Sequence, residues 1–119
     1  MSRPVYEVKA EFFKVLGHAT RIQILETLRH GPRAVSDIAE QIGVGGSALS
    51  QHLAALRRAG IVTSQRENRT VIYETVDPRT FALLETAKQI LTTSLEESRA
   101  VLHDLERLDF DADGPREGI

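Results

Sequence analysis

Ser47, Ser50, Gln51 and His52 fall within six consecutive positions and carry hydroxyl, amide and imidazole groups. Groups of this kind donate to and accept from base edges: glutamine can pair bidentately with adenine, and serine can serve any base. Arg57 and Arg58 follow closely, and Arg66 and Arg69 bracket Glu67-Asn68 a little further on. Guanidinium groups bind phosphate oxygens without reading sequence, or enter a narrow minor groove. The chemistry on offer is non-covalent recognition of a polyanion that has readable edges. Taken alone, either set would be a solvated helix face or a solvated loop. Their order along the chain makes them a candidate DNA-binding surface.

Covalent chemistry has little to work with. There is no cysteine, which removes a thiol nucleophile, thiolate metal ligands and disulfides together. Gly43-Val44-Gly45-Gly46 lacks the lysine that a phosphate-cradling loop needs. With no nucleophile–base pair in view, the chain is not expected to be an enzyme. One set of residues suits a divalent cation such as nickel, zinc or cobalt. His103 and Glu106 stand three apart, Glu96 lies seven residues before His103, and Asp104 is adjacent. The plainer alternative there is an exposed acidic helix end with one histidine.

The elements that must position these groups are legible from apolar spacing. Val5 to Leu16 reads as an amphipathic helix with Val5, Val8, Phe12, Phe13 and Leu16 along one side, closed by Gly17. A second helix starts near Ala19, with Ile22, Leu25 and Leu28 one turn apart, and stops at His30-Gly31-Pro32. His30 closes that helix, where its cation suits the dipole. Ser36 is expected to cap a third helix, with Ile38, Ala39 and Ile42 buried and Gly43 ending it. After a tight connection, Ser47 is expected to cap Ala48–Arg58, whose Leu49, Leu53 and Leu56 face inward.

Two β-rich runs follow, Ile61–Gln65 and Thr70–Val76, joined by Arg66-Glu67-Asn68-Arg69; Asn68 tolerates the positive φ of a hairpin turn. Asp77-Pro78 is a cap followed by proline, the expected start of a helix. Phe81, Leu84, Leu91, Leu95, Leu102 and Leu105 then recur at near-heptad spacing, a seam longer than a lone surface helix needs. The expected architecture is mainly α with a small β-hairpin (α+β), in the order α-α-α-α-β-β-α. Residues 1–108 form one domain and 109–119 an acidic disordered tail. Helix, tight turn, helix and hairpin in that order make a winged helix-turn-helix, whose second helix enters the major groove.

Charge is divided unevenly. Residues 1–79 hold 11 basic and 8 acidic residues, and residues 80–119 hold 4 basic and 9 acidic ones, within a formal total of −2. The first part is net positive and the second net negative, so a polyanion remains a fitting partner for the first. No apolar run is long enough to span a membrane, and the charged N-terminus does not read as a signal peptide, so a cytoplasmic location is expected.

The stretches LGHATRIQILETL, VSDIAEQIGVGGSALSQHLAALRRAGIV and the wing around REN and VIYETV closely resemble the ArsR/SmtB family of bacterial winged-helix regulators. The resemblance spans about residues 10–95. It implies a homodimer joined by the first and last helices and bound to an imperfect palindromic operator, usually as a repressor released by a ligand, often a metal ion. It turns the apolar seam into a dimer interface, with Val8, Phe12, Phe81, Leu84, Leu91 and Leu95 as its candidates. The candidate DNA contacts, read from the residues themselves, are Ser47, Ser50, Gln51 and His52 on the recognition helix, Arg57 and Arg58 beside it, and Arg66, Asn68 and Arg69 on the wing.

Two familiar metal sites of that family do not carry over. Where cysteines flank one residue at the third helix, this chain has Ala34 and Ser36. Where the last helix would supply its ligands, it has Asp77, Arg79, Ile90 and Thr93. His18 stands where the family has a helix cap. The effector is left open, and a module working mainly through a partner protein is the other reading.

Overall fold

The computed structural model describes the backbone of residues 2–117 and the side chains of residues 2–107. The chain divides into residues 1–81 and residues 82–119. The first unit contains α1 (Val5–Leu16), α2 (Ala19–Thr27), β1 (Arg33–Ala34), α3 (Val35–Ile42), α4 (Gly46–Arg58), β2 (Val62–Glu67) and β3 (Thr70–Thr75). The helix α5 (Arg79–Glu117) opens at its end and supplies the second unit.

The core of the first unit is built by one face of each helix. Ile24, Leu25, Leu28, Ile38, Leu49, Leu53 and Leu56 are all at most 2% exposed. In α2 the inward face differs from the expected one: Ile24 is buried and Ile22 is on the surface. At about 100° per residue, positions 24, 25 and 28 share one arc and position 22 lies off its edge. The helix also ends earlier than expected, at Thr27 with Leu28 as its C-cap. Arg33 Nε donates to the freed Thr27 carbonyl at 3.3 Å, so β1 secures the end of α2.

The hairpin is one part of a three-stranded antiparallel sheet in the order β1-β3-β2. Arg33 pairs with Tyr73 and Ala34 with Ile72, an addition to the expected two-strand wing. The ladder between β2 and β3 runs from Val62↔Thr75 to Glu67↔Thr70. The turn is therefore just Asn68-Arg69, two residues where four were expected. Asn68 has φ 57°, the left-handed conformation that asparagine adopts at little cost.

Both serine caps expected from the sequence are replaced. Ala34 precedes α3 and Gly45 precedes α4, neither with a side-chain cap among the described residues. Ser36 and Ser47 instead lie inside the first turn, exposed. Their hydroxyls are thus not spent on the orphan N–H groups of their own helices. Between the two helices Gly43 takes φ 72°, the left-handed C-cap that lets the chain reverse within three residues.

In the second unit α5 continues as helix to Glu117. The boundary expected at residue 108, between domain and disordered tail, has helical backbone on both sides. Residues 118–119 lie outside the described residues. Ile90, Leu91, Leu95, Val101, Leu102 and Leu105 all stand exposed along this helix.

Candidate nucleic-acid interface

Packing decides which side of α4 is free. With Leu49, Leu53 and Leu56 buried, Ser47, Gln51 and Arg58 fall on the far side of the helix and Ser50 and Arg57 on its flank, together within about 120° of arc. All five are exposed. Cations near a helix C-terminus also suit the negative end of its dipole, and Arg57 and Arg58 occupy that last turn.

The wing brings its cations to the same unit. Arg66, Asn68 and Arg69 are exposed at the hairpin tip. Asn68 forms the turn itself and so positions Arg69. A cleft of about 430 Å³ separates the wing from the two-helix motif; Ser36, Ser50, Arg69, Thr70 and Tyr73 line it. The structure therefore sets Ser50 of the recognition helix and Arg69 of the wing on one concave surface. Ser36 and Tyr73 join them there, which sequence reasoning missed. Ser36 is a capping residue by type, and Tyr73 comes from a strand whose inward face is set by its register with Ser64. Among the described residues, Arg57, Arg58, Arg66 and Arg69 enter no ion pair.

His52 does not belong to this face. Its ring is half-buried on the α2 side, where Arg21 Nε donates to Nδ1 at 3.1 Å and the His18 ring lies 4.2 Å away between centroids. Position 52 is next to Leu53 and three beyond Leu49, so helical periodicity carries it to the edge of the core. His18 is the N-cap of α2 and accepts from Thr20 N–H at 3.3 Å, as expected for a cap. Burial, then the neighbouring His18 and Arg21 charges, hold the His52 pKa below its ordinary 6.5. The folded state therefore binds fewer protons than the unfolded chain just below that pH. Stability from this group is fully present above pH 6.5 and is lost as pH falls toward the lowered value. Thermal melts on either side of pH 6.5 should show a lower melting temperature on the acid side, and His52→Gln should flatten that dependence.

The expected dimer residues divide. Val8 is exposed and Phe12 half-buried on α1, and Leu91 and Leu95 are each 63% exposed on α5. Phe81 is half-buried within its own unit, with the Arg29 guanidinium 5.9 Å from its ring centroid, and Leu84 is half-buried as well. Phe81 is thus partly committed to its own protomer.

The metal candidates are not brought together. Among the described residues no three histidine, aspartate or glutamate side chains are grouped to hold an ion. Glu96, His103, Asp104 and Glu106 follow one another on a single exposed helix. At about 100° per residue, adjacent Asp104 turns away from His103. Asp77 is also committed. Its Oδ1 accepts from Arg79 N–H at 2.9 Å, its Oδ2 lies 2.7 Å from the Arg79 guanidinium, and the pair lowers its pKa to about 2.

A helix-turn-helix with a three-stranded wing, one free polar helix face and unpaired arginines on both elements defines a winged helix-turn-helix DNA-binding protein. The family model described as bacterial regulatory protein, arsR family, matches residues 18–64. The HTH-type transcriptional regulator Rv0081 of Mycobacterium tuberculosis is 43% identical over 105 residues, 87% of this chain and 92% of that protein. Its crystal structure superposes with a TM-score of 0.73 at 41% identity, over 81% of this chain and 97% of that one. The transcriptional repressor BigR from Xylella fastidiosa gives a TM-score of 0.65 at 31% identity, over 76% and 96% of the chains. The homodimeric winged helix-turn-helix domain of Mb0332 from Mycobacterium bovis gives 0.65 at 32% identity, over 71% and 82%. The chain belongs to the ArsR family of bacterial transcriptional regulators. No described helix is long and apolar enough to cross a membrane.

Proposed function

We propose that the chain acts in the cytoplasm as a homodimeric repressor, without catalytic turnover, on an imperfect palindromic operator and is released from it by an effector. The observation that carries this reading is the set of four unpaired guanidinium groups, two on the helix that carries Ser47, Ser50 and Gln51 and two on the wing, with Arg69 and Ser50 lining one cleft. Such groups neutralise phosphates and fix register, while the short polar side chains between them reach base edges. Two copies of α4 about one DNA turn apart would match the two halves of a palindrome. With no group of three ligands within one protomer's described residues, a nickel, zinc or cobalt effector at Glu96 and His103 has no structural support.

A mobility shift on the region upstream of its own gene tests the reading. Arg66→Ala should weaken binding to all sequences and lower the salt slope by about one. Gln51→Ala should relax discrimination at one base pair by about 1–3 kcal/mol. A specific shift that neither substitution changes would overturn the assigned face. Absence of any specific shift would favour the module that works through a partner protein.

A further inference from the structure

A second cleft, of about 780 Å³, opens among α1, the start of α2 and the end of α4. Phe12, Val15, Ala55 and Ala59 give it an apolar lining, and Lys14, Arg21 and Arg58 give it cations. Among the described residues none of these three cations enters an ion pair. The one carboxylate on the lining, Glu11, is engaged by Arg3 at 2.8 Å. The cleft thus offers uncompensated positive charge over an apolar floor, a combination complementary to an anion with a hydrocarbon body.

Its walls also reach the DNA-reading helix. Arg21 donates both to the Val15 carbonyl of α1, at 3.2 Å, and to His52 Nδ1 of α4, at 3.1 Å. Ala55 and Arg58 belong to α4 itself. A carboxylate taking up the Arg21 guanidinium would compete with both bonds, and so bear on the helix that carries Ser50 and Gln51. Val8 and Phe12, both assigned above to the dimer seam, stand on the same lining, so a ligand there also meets the α1 contribution to that seam.

We propose that this cleft is an effector site for a small amphipathic carboxylate, one bound molecule per protomer, whose occupancy weakens operator binding. The proposal rests on the reading of the chain as an effector-released operator binder. Its binding step is nonetheless measured without DNA, so a failed operator shift leaves that step readable.

Calorimetric titration of the full-length protein with octanoate should give saturable binding at one site per protomer. Octylamine, which has the same chain and the opposite charge, should give none. Lys14→Gln removes a cation and Ala59→Leu fills the floor from an exposed position; each should weaken octanoate by roughly tenfold or more. In a parallel shift assay, saturating octanoate should lower operator affinity by about 5–150-fold, a usual range of coupling between two sites. Three binding results would overturn the proposal. They are octanol binding as well as octanoate, no saturable binding tighter than about 1 mM, and binding untouched by both substitutions. Octanoate binding that leaves operator affinity unchanged would overturn the effector role.

Discussion

Leu91→Asp combined with Leu95→Asp is expected to yield a folded monomer that no longer shifts operator DNA at concentrations where the parent chain does. Both leucines are 63% exposed in the protomer, so charges there cost the single chain little. Across a homodimer seam, the same carboxylates would be removed from water without partners, and buried unpaired charge is among the costliest changes a protein interface can suffer. A dimer engages its second half-site as an intramolecular event. Losing that advantage should lower operator affinity by about 10²–10⁴-fold without altering any DNA contact. Sedimentation velocity reads the assembly state, and circular dichroism shows that the helices persist. A dimeric double variant would place the seam elsewhere on the chain.

The second large effect concerns the platform under the recognition helix. Leu53 is 2% exposed and sits between Leu49 and Leu56 on the inward face of α4. Leu53→Ala removes buried methyl groups and leaves a void that the surrounding helices fill incompletely. The expected loss is about 2–5 kcal/mol, read by urea unfolding at fixed protein concentration, because stability of an oligomer depends on it. Ser50→Ala, three residues away and exposed, should change stability by less than about 0.5 kcal/mol while still weakening DNA binding. A Leu53→Ala variant of parental stability would mean that α4 does not depend on this core.

Much of this organisation is readable from residue spacing. The inward leucines of α4, the glycine between the paired helices and the asparagine of the wing turn each have one favourable place in a fold, and they occupy it. The particulars that spacing alone misplaces have physical causes. Ser36 and Ser47 are good caps by type, yet Ala34 and Gly45 take the cap positions because the chain enters each helix two residues earlier. β1 is two residues long and has no periodicity to detect; it exists because Tyr73 and Ile72 offer it a free strand edge. The inward turn of His52 is accessible in principle, since the helical repeat sets it about 40° beyond Leu56, at the edge of the buried arc. Its imidazole was instead grouped with the polar residues beside it in sequence. The cleft lined by Ser36, Ser50, Arg69 and Tyr73 draws on residues up to 37 positions apart, and no local pattern could reveal it.

The short strand β1 bears on how tightly the proposed wing contacts would hold DNA. A two-stranded ribbon on its own is only marginally stable in water and would sample many orientations before docking. Arg33 and Ala34 tie β3 directly to the residue from which α3 begins. A wing held in this way would meet a duplex already oriented relative to the paired helices, with little conformational freedom left to lose on contact. Preorganisation of this kind leaves more of the arginine–phosphate attraction available as net affinity.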